Sequence, residues 1–205
     1  MLKKKELMSE YNLRIGIIEF KTTNLFSIKK VLSKFGKLKK IENSNNLKNL
    51  DVLVIPGVGT FSGAMEYLRR FKLDKKIIEF AESGKKVIGI CLGMQILLET
   101  GYENKRTKGL SLIKGEVKKF KKISSNIGWN KILYTEEKLM NSNDYFYFVH
   151  SYYCSTNKNF IKAQSDHNGI KFPAIINNKN ITGIQFHPEK SGIKGINILK
   201  KIIKK

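Results

Sequence analysis

The stretch that most constrains this chain is Lys86-Val87-Ile88-Gly89-Ile90-Cys91-Leu92-Gly93-Met94-Gln95-Ile96-Leu97-Leu98. A short apolar run with the character of a buried parallel strand ends at a cysteine, and a helix-period pattern begins at once. A turn this sharp holds the residue at its apex in a strained backbone conformation. Side chains two residues to either side would collide with neighbouring elements unless they are hydrogen, which Gly89 and Gly93 supply. The pattern is that of a nucleophile elbow with sulfur in place of oxygen. Alone, Cys91 also reads as a small buried hydrophobe, so its meaning depends on partners elsewhere in the chain.

Upstream, Arg14 to Ile18 reads as a first buried strand. The segment from Asn24 to Phe35 places Leu25, Ile28, Val31, Leu32 and Phe35 on one helical face, with Thr22 or Thr23 as cap and Gly36 as stop. A weak strand near Leu38 to Ile41 precedes the buried strand Asp51 to Ile55. That strand runs into Pro56-Gly57-Val58-Gly59-Thr60-Phe61, where two glycines let backbone N–H groups turn outward toward an anion; an ordinary glycine turn is the alternative. Helical patterns at Gly63 to Phe71 and Asp74 to Glu82 end at Gly84 and deliver the chain to the elbow. Strand and helix alternating through short links predict a doubly wound parallel sheet, an α/β fold.

After Gly109 the pattern changes to strands and turns: Leu110 to Phe120, Trp129 to Tyr134, Tyr145 to Cys154, Phe160 to Ser165, Phe172 to Ile176 and Ile181 to Phe186. Asn168-Gly169 marks a hairpin turn and 177–180 another tight connection. These predict antiparallel additions beside the parallel core, closed by a last amphipathic helix from Ile193 to Ile203. The 205 residues are read as one domain, with residues 1–13 a loosely ordered extension.

Two cysteines make no disulfide framework, and no apolar run approaches the ~18 residues that cross a bilayer. The N-terminus has basic residues but no apolar segment behind them, so a cytoplasmic protein is expected. The formal net charge of +22 invites a nucleic-acid reading. Its lysines are scattered over element ends and polar faces without interleaved arginine and aromatic residues, which favours solvated faces instead.

A cysteine nucleophile needs a base within hydrogen-bond reach and a third group to orient that base. Of the three histidines, His187 lies in Gly183-Ile184-Gln185-Phe186-His187-Pro188-Glu189, at the end of an apolar strand. If that segment stays extended, positions 187 and 189 face the same way, and Glu189 can fix the imidazole tautomer. His150 is a competing base on a strand, and His167, before the Asn-Gly turn, is expected at the surface. No pair has metal-ligand spacing.

Together, the Cys91 elbow, the Pro56 to Phe61 loop and Gln185-Phe-His187-Pro-Glu189-Lys190-Ser191 resemble the three signatures of class I, triad-type glutamine amidotransferases. Gly128-Trp129-Asn130 and Tyr147-Phe148-Val149-His150-Ser151-Tyr152 narrow the resemblance to glutaminase subunits of imidazole glycerol phosphate synthases, from about Arg14 to the last helix. The resemblance implies a flavodoxin-like fold with a mostly parallel sheet, helices on both faces and antiparallel strands in the C-terminal half. It implies a Cys91, His187, Glu189 triad that cleaves glutamine through a cysteinyl thioester, without cofactor or metal. It assigns the oxyanion site to Gly57, Val58, Gly59 and the N–H of Leu92, donors of a kind that contribute ~3 to 4 kcal/mol to such barriers. Gln95, His150, Ser151 and Tyr152 would hold L-glutamine. A (β/α)8 cyclase would be the partner, docked near Asn24, Trp129, Asn130 and Lys190, with no membrane and no nucleic acid involved.

Two departures fall on the expected partner face. Glu19-Phe20-Lys21-Thr22-Thr23-Asn24 lacks the glycines of the family's first loop, and Ser125-Asn126-Ile127 replaces its Pro-His. They leave open a paralogue that supplies ammonia to a sugar-amidating enzyme of surface-polysaccharide synthesis. A nucleic-acid module or a cysteine peptidase are the readings from other classes.

Overall fold

The computed structural model describes residues 12–20, 25–43, 47, 49–57, 59–120, 125–135 and 139–204. The expectations for residues 1–11, the Thr22 or Thr23 cap, Asn24 and Val58 lie outside the described residues.

Four apolar runs that lack alternation become parallel strands, because a strand buried on both faces has no polar side to show, and a lysine-rich fifth joins them at the sheet edge, where much of it stays exposed. They are β1 (Leu13–Ile18), β2 (Gly36–Ile41), β3 (Val52–Ile55), β4 (Lys86–Ile90) and, far along the chain, β13 (Ile181–Ile184). In space they run β2-β1-β3-β4-β13. The same sheet continues antiparallel through β12 (Ile170–Asn178), β11 (Ile161–His167), β8 (Asn126–Thr135) and β9 (Tyr145–His150), nine strands in all. A smaller sheet is formed by β10 (Tyr152–Thr156), β7 (Gly115–Lys119), β5 (Thr100–Gly101) and β6 (Thr107–Lys108).

Side chains alternate across the large sheet and bury two layers. Ile15, Ile17, Val52, Val54, Ile88 and Ile90 pack under α1 (Phe26–Leu32) and α5 (Gly192–Lys204). Leu53, Ile55 and Val87 pack under α2 (Phe61–Arg70) and α3 (Leu73–Glu82). Each fully buried Ile or Leu contributes roughly 1.5–3 kcal/mol, so both faces are anchored before any polar contact is counted.

Three differences from the sequence reading have physical causes. Gly36 does not stop α1 but starts β2, because a Cβ there would fall on the Leu13 carbonyl and keep the edge strand off β1. Tyr145 to Cys154 is not one strand: the chain breaks at Ser151, sending β9 to the large sheet and β10 to the small one. Leu110 to Phe120 is extended only in β7, since Leu110, Ser111, Leu112 and Ile113 turn back to donate to carbonyls of residues 96–98. The Asn168-Gly169 hairpin forms as expected, with both residues at positive φ, 50° and 84°.

Candidate active site

Parallel pairing puts the ends of β3, β4 and β13 side by side, at the carboxyl edge where open α/β sheets carry their sites. Cys91 stands at the tip of β4 with φ 54° and ψ −110°, outside the regions ordinary residues occupy. Two contacts hold it there. Its N–H donates to the Ile184 carbonyl at 2.7 Å, and its carbonyl accepts from Gln95 in the helix α4 (Leu92–Ile96). Such a conformation costs about 1–3 kcal/mol and persists only where the surroundings over-determine it. Gly93 is obligatory here, because any Cβ would collide with the Ile55 carbonyl; α4 therefore rests directly on the end of β3.

The sulfur is buried, with Cys91 6% exposed. Its thiol donates toward the Val149 carbonyl at 3.6 Å, and the Gln185 amide donates to it at 3.8 Å. His187 lies within hydrogen-bonding reach of the same sulfur. The segment after His187 does not remain extended. Pro188–Lys190 forms one 3-10 turn, for which the fixed φ of Pro188 is preset. Glu189 still reaches back, and its Oε1 pairs with His187 Nδ1 at 2.9 Å. The Ser191 hydroxyl donates to the His187 carbonyl at 2.7 Å and accepts from the Tyr147 N–H, tying this turn to β9.

Burial alone would lower the His187 pKa; the hydrogen bonds to Cys91 and Glu189 outweigh it and raise it to about 10. His150 is its opposite. Burial drives it down to about 4, although the Tyr152 carbonyl acts the other way. Since that carbonyl can only accept, Nδ1 of the neutral ring carries the proton, and Nε2 accepts from the Asn126 amide at 3.0 Å. Both nitrogens are occupied, which removes His150 as a competing base. His167 is half-buried with its ring edge on Phe120, not a surface residue.

A cavity of about 290 Å³ opens onto the sulfur. Gly57, Gly59, Leu92, Gln95, His150, Ser151, Tyr152, His187 and Lys190 all line it. Gly57 is pressed against Leu92, where a Cβ would come within 2.7 Å of the Leu92 Cβ, and Gly59 has φ +116°. Gln95 donates to the Tyr152 carbonyl at 2.9 Å, and the Ser151 and Ser125 hydroxyls share a hydrogen bond. Trp129 is exposed on β8, edge-on to Tyr147, whose ring also faces Lys190. Asn130 turns its amide inward, to the Asp166 carbonyl at 2.8 Å.

Glu103 is the lining residue that sequence reasoning missed. Its carboxylate accepts from the Phe61 N–H at 2.6 Å, at the positive end of α2. Nothing around it in the sequence marks it, because the loop that carries it reaches the pocket only through the short strands β5 and β6. No group of three or more metal-ligating side chains occurs among the described residues.

The profile of the Glutamine amidotransferase class-I family matches residues 17–205. Imidazole glycerol phosphate synthase subunit HisH of Methanocaldococcus jannaschii is 38% identical over 195 residues, spanning 92% of this chain and 98% of its own. The HisH subunit of Listeria monocytogenes serotype 4b is 42% identical over 194 residues, 91% and 93%. The chain belongs to the class I glutamine amidotransferases, in the HisH family. HisH of Bacillus subtilis, at 37% over 203 residues, spans 93% of this chain and 95% of its own. Among solved structures, PurLQS from Thermotoga maritima superposes with a TM-score of 0.73 at 17% identity, over 94% of this chain and 98% of that one. A crystal structure of a glutamine amidotransferase gives 0.73 at 15%, over 93% and 97%. Those two likenesses concern the amidotransferase fold alone, and the fold expected from the three motifs is the one observed.

Proposed function

We propose that this HisH-family chain hydrolyses L-glutamine to glutamate and ammonia and passes the ammonia, in the cytoplasm, to a (β/α)8 cyclase subunit. The pair would make imidazole glycerol phosphate and aminoimidazole carboxamide ribonucleotide in histidine biosynthesis. The observation that carries the chemistry is the placement of Cys91, on a strained elbow, against a buried His187 that Glu189 holds in one tautomer.

The Cys91 proton resides on His187, whose pKa its surroundings raise, so the sulfur attacks the side-chain amide carbon of glutamine as a thiolate while Glu189 stabilises the imidazolium. The oxyanion that forms is received by N–H groups of the Gly57 to Gly59 strand and of Leu92. His187 then gives its proton to the leaving nitrogen, the C–N bond breaks, and ammonia departs from a thioester. Water, deprotonated by His187, attacks that thioester; the C–S bond breaks and glutamate leaves. Of the pocket's charged groups, Glu103 is placed to receive the substrate's α-ammonium, with Ser151 and Tyr152 beside it. Gln95, whose Nε2 donates to protein acceptors, and His150, whose two ring nitrogens are both engaged, shape the wall that these residues form.

HisH-named relatives at about two-fifths identity over most of the chain support the histidine-pathway partner over a sugar-amidating one. Expression in a strain lacking its own glutaminase subunit tests the assignment. Growth without histidine is expected. Failure to grow, with soluble chain that hydrolyses glutamine beside a different synthase, would contradict it.

A further inference from the structure

Gln185 is fully buried, at 0% exposure, yet polar, and the reaction as described gives it no task. Its position follows from strand register. β13 and β4 run parallel with Ile184 opposite Ile90, so the next residues, Gln185 and Cys91, leave the sheet side by side. The Gln185 backbone N–H donates to Ala174 on β12, and its side-chain amide donates from Nε2 to the Cys91 sulfur at 3.8 Å.

The direction of that amide is dictated by its neighbours. The Tyr152 carbonyl can only accept, so it fixes the Gln95 NH2 group toward itself, at 2.9 Å. The second N–H of that group points to Gln185 Oε1 at 3.4 Å. Turning the Gln185 amide over would set NH2 against NH2 at one end and oxygen against sulfur at the other. Gln95 and Tyr152 thereby force a donor onto Cys91. On its other side the sulfur meets the Val149 carbonyl at 3.6 Å, an acceptor that favours the protonated thiol. The two contacts act in opposite directions on the same atom.

Resting on the reading of Cys91 as the nucleophile, we propose that Gln185 is the hydrogen-bond donor that stabilises the Cys91 sulfur as a thiolate. It does so before attack on glutamine and again when sulfur leaves the thioester. A donor held in a buried site acts at full strength on a charged acceptor because water does not compete for it. No proton is transferred by Gln185; it receives none from sulfur and gives none up, and His187 remains the group that carries the proton.

The other titratable groups around the sulfur come from four elements. His187, with Glu189 behind it and Lys190 beyond, follows β13; Glu103 lies in the loop between β5 and β6; His150 and Tyr152 come from β9 and β10; Cys154 is buried on β10. None of them is altered by a substitution at position 185, so a change in the pH dependence of the sulfur reports on Gln185 itself.

The test is alkylation of the full-length chain by iodoacetamide across a pH series, with the modified cysteine identified by peptide mass spectrometry and folding checked by thermal unfolding. Gln185→Met keeps the volume and removes both polar atoms. Its alkylation midpoint is expected about one pH unit above wild type, a tenfold loss of thiolate at pH values below both midpoints. Gln185→Glu keeps an acceptor for Gln95 but places a carboxyl against sulfur, and its midpoint is expected to rise at least as far. An unchanged midpoint in Gln185→Met overturns the proposal, as does a wild-type midpoint in Gln185→Glu, which would route the effect through Gln95 alone. If Cys91 of the wild-type chain resists alkylation at every pH, the nucleophile assignment fails first and this inference falls with it.

Discussion

His187 and His150 line one pocket and are held in opposite protonation states by their surroundings. His187, raised to about 10, is the imidazolium at neutral pH in the resting site. Its contribution to stability is complete below the unfolded pKa of ~6.5 and is lost as pH rises through the folded value. Glu189→Gln removes the hydrogen-bonded charge that supports this state. The variant is expected to lose about a hundredfold or more in glutaminase turnover. Its stability deficit, read by urea unfolding at pH 6 and again toward pH 10, should shrink at the higher pH. A deficit that grows with pH would contradict the assignment. His150, lowered to about 4, behaves in the reverse sense. Its contribution is complete above ~6.5 and is lost as pH falls through the folded value. The imidazole Cε1–H resonance of His150 should therefore hold its neutral position down to about pH 5, while that of an ordinary histidine has already moved. The triad was legible in the sequence because Cys91, His187 and Glu189 each sit in a patterned segment. Glu103 was not, since one carboxylate in a polar loop carries no local signal until folding brings it to α2.

At the scale of elements, the elbow works because α4 lies directly on β3. Gly93→Ala drives a methyl group into the Ile55 carbonyl, a backbone atom that cannot swing away. A loss of about 3 kcal/mol or more is expected from denaturant unfolding, at the upper end of overpacking costs. Stability within 0.5 kcal/mol of wild type would mean that α4 is held off β3. The buried parallel strands were readable from sequence, since Ile15 to Ile18 and Val52 to Ile55 are apolar throughout, and the second ends at Pro56-Gly57. The break at Ser151 was not readable. Tyr145 to Cys154 is apolar and aromatic on both sides of it, and only pairing with β8 on one side and β7 on the other separates the two strands. The turn at Pro188 escaped for a related reason. Proline fits an extended residue and the first position of a 3-10 turn equally well, and the Ser191 hydroxyl on the His187 carbonyl selects the second.

Across the whole molecule, Ile127 and Trp129 on β8 and Tyr145 and Val149 on β9 remain exposed beside the opening of the pocket. Glu19, just after β1, pairs with Lys29 and Lys40, so the end of β1 is tied to α1 and β2 by charge. If the exposed Trp129 anchors the proposed cyclase partner, Trp129→Ala should weaken that assembly at least tenfold, as the loss of an aromatic anchor does. It should change the stability of the free chain by no more than about 0.5 kcal/mol. Unchanged affinity by calorimetric titration would move the dock elsewhere. If Cys91 cleaves glutamine and the partner consumes only the ammonia, Cys91→Ala, assayed in complex with the proposed cyclase for product formation from glutamine and, separately, from an ammonium salt, separates the two steps. No glutamine-dependent product is expected, with ammonia-dependent product at the wild-type rate. Glutamine-dependent turnover at the wild-type rate in that variant would contradict the assignment of Cys91.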